Sequence, residues 1–403
     1  MKRIKFTGHS NFQKICLSAV LLLIFIYITT LSKGMDFTTP PDGENINSQL
    51  NRESNMGKSG EVIKIGLLLP VSPDKDLLAR SAFQGAELAV EQVNETGGYQ
   101  GKPFKLITRT TDGLWGAGSK ASVGFVYEDQ VVAIVTSVDG RNAHLAEQVA
   151  AKSRIVQVAT QASEETLSQA FVPWFFRIVP NDVQQADALV EQIFVKNGYS
   201  RVFLINEDNY DCKKGAESFK KIVAKRGYEL TGEMVYKSSE TGDLIPGLKD
   251  NMEVVVVFGS FQSAKPILNR IKNENPSVQI YGALSMTRDG LIGAGYSEGC
   301  EGGIFISSRF CFTTPGQSFK DLYLEKYEQM PNPAASYAYD GVNLIVEAVG
   351  RAGPDRDKIR DALIDINYSN AATGPIRFDD KGNRIAPVFL IRLIKGHPVI
   401  LNP

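Results

Sequence analysis

Apolar and polar residues alternate along this chain in a pattern that switches between strand and helix periods and then repeats. The run IKIGLLLP (63–70) is too short and too evenly apolar for a helix and ends at Pro70, which predicts a buried parallel strand. Downstream, Phe83, Ala86, Val90 and Val93 share one helical face with Glu87 and Glu91 opposite, and Gly97-Gly98 marks the end of that helix. FKLITRTT (104–111), VVAIVTS (131–137) and IVQVAT (155–160) read as further strands, with a helix through Leu145, Ala146 and Val149 between the last two. The pattern restarts after Asp182. Ala186, Leu189, Val190 and Ile193 form a helical stripe, and RVFLIN (201–206), VVVVFGS (254–260), QIYGAL (279–284) and GGIFISSRF (302–310) read as strands. Helices through Phe219, Ile222 and Val223 and through Ile267, Leu268 and Ile271 separate the first three of these. Such alternation predicts an α/β protein of two doubly wound parallel-sheet lobes, each sheet covered by helices. The crevice between the lobes, at the carboxyl ends of the strands, is then the expected ligand cleft.

The two ends of the chain differ from this body. Lys2, Arg3, Lys5 and Lys14 precede an uncharged stretch, Ile15 to Ser32, and small residues follow at Ser32 and Gly34. Residues 1–34 thus read as a secretory signal peptide cleaved after Gly34, or as an uncleaved membrane anchor, since the stretch is near the ~18–20 residues a span requires. Both readings take the remainder out of the cytoplasm. Residues 35–61 are polar, rich in Pro, Gly, Asn and Ser, and without an apolar period, as in a flexible linker.

Charge follows the same division. The whole chain of 403 residues carries 44 basic and 45 acidic side chains, a net −1. Residues 1–34 hold five of the basic ones and no acidic one, so the remainder has 39 against 45 and is mildly acidic. Nothing here suggests a nucleic-acid partner. The body has only His144 and His397, and neither adjoins a nucleophile motif, which leaves no basis for a catalytic triad or a histidine metal site. GGYQGKP fails as a phosphate loop because its glycine spacing is one short and Pro103 follows the lysine. Gly116-Ala-Gly118-Ser-Lys-Ala121 follows the second strand rather than the first, and no acidic residue closes a strand about 20 residues on, so it reads as a turn before a helix. No catalytic residue, cofactor or metal is expected. Cys300 and Cys311 flank a strand and would pair only if the chain folded back between them; buried thiols are the alternative.

Several segments carry a family likeness. GAELAVEQVNETGGYQGKPFKLITRTTD (85–112), FFRIVPNDVQQA (175–186), SYAYDGVNLIVEAV (336–349) and TGPIRFDDKGNR (373–384) resemble, in this order, the branched-chain amino-acid-binding proteins of ABC importers. The resemblance spans about 62–394 and implies a type I periplasmic-binding-protein fold, two lobes joined by three crossings that close on a small ligand. It implies residues 62–181 plus 307–372 for lobe 1 and 182–306 plus 373–403 for lobe 2.

The resemblance also implies candidate ligand residues. Asp139, Gly140 and Arg141 lie in the loop after the third strand, where the family binds a ligand carboxylate, and Gln161 and Ser163 lie in its second carboxylate-binding loop. Ser163 also reads as a helix N-cap before Glu165 and Thr166. Asp182 matches a family aspartate at the first crossing and reads equally as a cap for a helix beginning at Gln184. Tyr210 and Phe261 match aromatic walls, and Trp115 sits in a glycine turn near the cleft. Where the family places the carboxylate that holds an ammonium group, this chain has Ala283-Leu284-Ser285. Either Asp139 or Asp182 replaces it, or the ligand is a carboxylate, an amide or a small aromatic acid. The function implied is an exported solute-binding protein, monomeric, delivering a small amino-acid-like or otherwise polar or amphipathic molecule to an ABC permease in the membrane. A sensor presenting its ligand to a receptor is the alternative, and an enzyme using the cleft is a weaker one.

Overall fold

The computed structural model describes residues 62–112, 114, 116–169, 173–238, 252–288 and 299–401. The expectations for 1–34, for 35–61 and for Trp115 fall outside the described residues. Among the described residues, no helix is long and apolar enough to cross a membrane.

Two sheets form the frame. The first holds β1 (Ile63–Leu69), β2 (Phe104–Thr110), β3 (Ala133–Thr136), β4 (Val156–Ala159) and β5 (Phe175–Arg177), all parallel, in the order β2-β1-β3-β4-β5. The second contains β6 (Val202–Glu207), β7 (Gly232–Tyr236), β8 (Val254–Phe258), β9 (Gln279–Gly282) and β10 (Ile304–Ile306) in the parallel order β7-β6-β8-β9-β10, which repeats the topology of the first. It is extended past β10 by an antiparallel hairpin, β11 (Leu390–Ile394) and β12 (His397–Ile400). The two lobes are therefore doubly wound, as the periodicity predicts, and the antiparallel edge is an addition that the sequence reading did not include.

The continuous apolar runs have a direct cause. Ile65, Leu67 and Leu69 of β1 pack with Ala82 and Ala86 of α1 (Leu77–Glu95) on one face, while Leu68 packs with Phe125 and Ile134 on the other. A strand covered on both sides needs apolar residues at every position. α2 (Ala117–Gly124) and α3 (Gly140–Ser153) complete this layer. On the second sheet, α4 (Asp182–Val190), α5 (Tyr210–Lys225), α6 (Phe261–Glu274) and the short α7 (Leu284–Arg288) follow the strands. The chain then returns to the first lobe as α8 (Thr314–Tyr327), α9 (Pro333–Ala352) and α10 (Arg356–Ile364). α9 lies directly on α1, and a Cβ at Gly85 would come within 2.1 Å of the Ala335 carbonyl oxygen, so only glycine permits this approach.

Three expectations change in detail. The strand expected over 302–310 is confined to β10, because Ser307 onward leaves the sheet to cross between lobes. QIYGAL ends as a strand at Gly282, and Leu284 begins α7. Cys300 and Cys311 are unpaired, as is Cys212, and burial pushes the Cys300 thiol up to about 12.

The crossings run from β5 to α4, from β10 to α8 and from α10 to β11, and they are hydrogen-bonded to one another. The Arg177 N–H donates to the Gly382 carbonyl at 2.8 Å, the Arg384 N–H to the Arg177 carbonyl at 3.1 Å, and the Ser307 N–H to the Phe389 carbonyl at 3.0 Å. Two buried guanidinium groups hold the crossings together. Arg177 donates to Asn383 Oδ1, to the Glu164 carbonyl and to Ser168 Oγ. Arg384 donates to Thr373 Oγ1 and to the carbonyls of Ile178, Thr373, Gly374 and Pro375. Asp340, in the tyrosine-bearing motif of α9, fastens the start of the third crossing by accepting from the Ala372 and Thr373 N–H groups and the Thr373 hydroxyl.

Truncating Arg384 strands several buried carbonyls at once, each costing about 1–3 kcal/mol. Arg384→Met should therefore lower unfolding stability by roughly 3 kcal/mol or more in urea titration. A loss below about 0.5 kcal/mol would show that the clamp is dispensable.

Candidate functional site

The carboxyl ends of the two sheets face a small pocket. Ser163 reaches it from the loop after β4, Asp182 and Gln185 from α4, Asp211 from α5, and Leu284 and Arg288 from α7. Each side chain is placed by a helix start or a turn. Asn181, rather than Asp182, caps α4: its side chain accepts from the Gln184 N–H while Gln184 Oε1 accepts from the Asn181 N–H. The capping reading of Asp182 is thereby corrected, and its carboxyl group is free to face the pocket. The Ser163 cap is corrected likewise, because the short helical turn at Glu165–Ser168 begins after Glu164 and Ser163 hydrogen-bonds Asp182 instead.

Asp182 is only 3% exposed and forms no ion pair among the described residues. Burial raises its pKa to about 7, reinforced by the neighbouring Asp211 and Glu164 charges and opposed by the Ser163 hydrogen bond and by Arg177. Asp211 is raised to about 6, again by burial, while the Gly140 N–H and Arg288 favour its ionised form. Arg288 has a buried Nε with no hydrogen-bond partner. Gln185 supports the floor: its Oε1 accepts from the Leu284 N–H at 3.0 Å and its Nε2 donates to the Pro180 carbonyl. Ala283, Leu284 and Phe258 supply apolar wall.

The lobes meet directly in this structure. Gly140, the first residue of α3, donates its N–H to Asp211 Oδ1 at 2.8 Å, so a helix N-terminus of one lobe holds a carboxylate from the other. Tyr210 donates its hydroxyl to Glu164 Oε2 at 2.7 Å, and Arg288 Nη1 donates to the Gln161 carbonyl at 3.2 Å. A Cβ at Gly140 would lie 2.9 Å from Glu164 Oε2 and 3.2 Å from Asp211 Oδ1, so a larger residue here would push these carboxylates aside. Behind Glu164 stands His144, whose ring nitrogens lie 3.4 Å from Glu147 and 3.4 Å from Glu164. Hydrogen bonds to Glu147 and Glu164 raise the His144 pKa to about 9. Burial would raise Glu164, but hydrogen bonds from His144, Tyr210 and Thr166 outweigh it and hold that carboxylate at about 2.

The remaining sequence candidates are distributed around this centre. Asp139 caps α3, accepting from the Arg141 and Asn142 N–H groups, and does not line the pocket. Arg141 lies over the Tyr210 ring, 5.2 Å from its centroid. Gln161 accepts from Ser137 Oγ at 3.5 Å in addition to its contact with Arg288. Phe261 opens α6 and is buried among core residues, away from the pocket lining. Of the predicted set, Ser163, Asp182 and Leu284 line the pocket, and Gly140, Arg141, Gln161 and Tyr210 join the lobe–lobe contacts. Asp211, Arg288 and Glu164 were not singled out from sequence. Asp211 adjoins Tyr210 at a helix start, which is a local signal, whereas Arg288 stands at the far end of α7, beyond the Ala283-Leu284-Ser285 segment.

His144 and Glu164 give the contact a pH signature. The raised His144 contributes stability that is complete below pH ~6.5 and is lost as pH rises through about 9. The depressed Glu164 contributes stability present above its ordinary value and lost as pH falls toward about 2. His144→Gln should therefore flatten the decline in thermal stability between pH 6.5 and 9. An unchanged decline would remove His144 from this role.

A family model described as periplasmic binding protein matches residues 62–398. A Leu/Ile/Val-binding protein homolog 3 from Brucella melitensis is 25% identical over 340 residues, covering 81% of this chain and 90% of its own. The fold is shared with the branched-chain amino acid transporter substrate binding protein LivJ from Streptococcus pneumoniae, solved with isoleucine. The TM-score is 0.72 at 20% identity, with 85% of this chain and all of that chain covered. It is shared equally with a solute binding protein of an ABC transporter from Rhodopseudomonas palustris, solved with 3,4-dihydroxy benzoic acid. That match has a TM-score of 0.73 at 16% identity and covers 84% of this chain and 95% of that one. With two doubly wound lobes of matching topology, a pocket at their strand ends and a family match over nearly the whole body, this chain belongs to the periplasmic binding protein family.

Proposed function

We propose that the chain is an exported solute-binding protein that holds a small amino-acid-like molecule between its lobes by hinge closure and presents it to an ABC permease. The observation that carries this reading is Asp182, a buried carboxyl group in the pocket wall without a cationic partner among the described residues. An ammonium group there supplies the missing counter-charge, and Asp182 takes over from the carboxylate that Ala283-Leu284-Ser285 lacks. The unpaired Arg288 Nε in the same pocket suits the ligand's acidic or polar end. Closure then follows from a ligand that contacts both lobes and so favours the closed state. The lobe limits proposed are 62–181 with 307–372 and 182–306 with 373–403, and the binding cycle makes and breaks no bond. The names of relatives that bind leucine, isoleucine and valine support an amino-acid-like ligand. The benzoate-class complexes define the competing class.

Protonation provides the test. With Asp182 near pKa 7, an ammonium ligand displaces its proton, so affinity should rise from pH 6 to pH 8 with net proton release. Calorimetry in buffers of different ionisation enthalpy, over a panel of amino acids and aromatic acids, measures both. Asp182→Asn should weaken amino-acid binding by about tenfold or more, corresponding to loss of a charge-assisted hydrogen bond. A protein that prefers benzoates, or one whose amino-acid affinity survives Asp182→Asn, would overturn the assignment.

A further inference from the structure

A second, small pocket lies at the hinge and shares no lining residue with the first. All three crossings line it: Gln184 at the end of the first, Ser307 and Arg309 in the second, Arg384 and Phe389 in the third, with Tyr337 from α9. Its lining is cationic and contains no carboxylate. Arg309 and Arg384 flank the same glycine. A Cβ at Gly374 would lie 3.1 Å from Arg309 Cδ and 3.6 Å from Arg384 Nη2.

The two guanidinium groups differ in how they are satisfied. Arg384 is fully engaged with carbonyl oxygens and Thr373 Oγ1. Arg309 is half-buried, and its guanidinium lies over the Phe389 ring at 4.9 Å and makes no hydrogen bond or ion pair with the described residues. Their mutual repulsion depresses Arg384 further, beyond the larger effect of burial. Around them are hydroxyls without partners. Ser307 is 2% exposed, and its Oγ is sealed from solvent with no hydrogen bond. The Tyr337 phenol, 3% exposed, likewise forms no side-chain hydrogen bond with the described residues. A native protein rarely leaves a buried hydroxyl unmatched beside an uncompensated cation.

We propose that the hinge pocket is a binding site for a small oxyanion, an inorganic oxyanion or a short carboxylate, held by the Arg309 guanidinium with the hydroxyls of Ser307 and Tyr337. Such an occupant supplies acceptors to donors that have none and negative charge to two adjacent cations. Because it touches all three crossings, its affinity differs between hinge angles, and its concentration sets the balance between open and closed lobes.

The test uses the full-length protein, titrated with sodium sulfate and separately with sodium acetate, with ionic strength held constant by sodium chloride. Calorimetry and thermal unfolding should both show saturable binding of at least one of the two probes. Sulfate alone identifies an inorganic oxyanion as the occupant, and acetate alone a carboxylate. Arg309→Gln should weaken that binding by about tenfold or more. Ser307→Ala, which removes a hydroxyl with no protein partner to lose, should leave the circular dichroism unchanged and weaken binding severalfold. A stabilisation that does not saturate, or that is equal in wild type and Arg309→Gln, is a bulk salt effect and overturns the proposal, as does silence in both arms. No amino-acid ligand is present in these titrations, so failure of the cleft assignment leaves the outcome untouched.

Discussion

The structure depends on a problem of buried hydrogen bonding at the three crossings. Strands that leave one lobe for another cannot keep their sheet partners, and their carbonyl groups are too deeply placed to use water. Arg177 and Arg384 answer this with charge. Each directs a guanidinium group at carbonyl and side-chain oxygens of neighbouring segments, and neither forms an ion pair among the described residues. Burial lowers the Arg177 pKa to about 10, which still leaves it protonated at neutral pH. A neutral donor set would offer fewer N–H groups in a fixed plane. Asp340 works on the same segment from the opposite sign, gathering N–H groups where Arg384 gathers carbonyls. The crossing region is thus a polar core between two apolar ones.

Electrostatics in the cleft follows from that geometry. Asp182 sits one residue after the cap of α4, only a short step beyond the β5 end that carries Arg177. Its position is dictated by the crossing, whereas its raised pKa comes from burial with Asp211 and Glu164 nearby. Glu164, in contrast, gains three hydrogen-bond donors and stays ionised. Carboxylates in one small region are therefore set apart by what donates to each: three donors keep Glu164 ionised, while burial raises Asp182.

Much of the fold was legible because buried parallel strands require apolar residues on both faces, so β1, β3, β4, β6 and β8 announce themselves as continuous runs. The edges were less legible. β7 alternates half-exposed positions in Gly232–Tyr236, which carries a weaker signal than a fully buried run. β11 and β12 left little to read: Leu390–Ile394 has one polar residue among four apolar ones, and the two-residue turn shows itself in the structure, where Lys395 and Gly396 both take positive φ. The site was half legible. Residues on strand ends, such as Ser163 and Leu284, follow from topology, but Asp211 and Arg288 act across the interlobe gap. Contacts between segments distant in sequence leave no local period to read. The Asn181–Gln184 capping box is an exception, since its spacing was visible and moves the cap one residue ahead of Asp182.

The contact between Gly140 and Asp211 has a further consequence for selectivity. The amide that the family likeness assigns to a ligand carboxylate is occupied by a carboxylate belonging to the protein itself. That carboxylate is part of the fold, so it competes for the amide whatever the solute level outside. If the amide meets ligand as the likeness implies, a solute with an acid group alone must first displace this resident competitor. On the proposed reading, one that also carries a cation can draw on Asp182. The threshold against simple acids would then be set by the chain rather than by the medium.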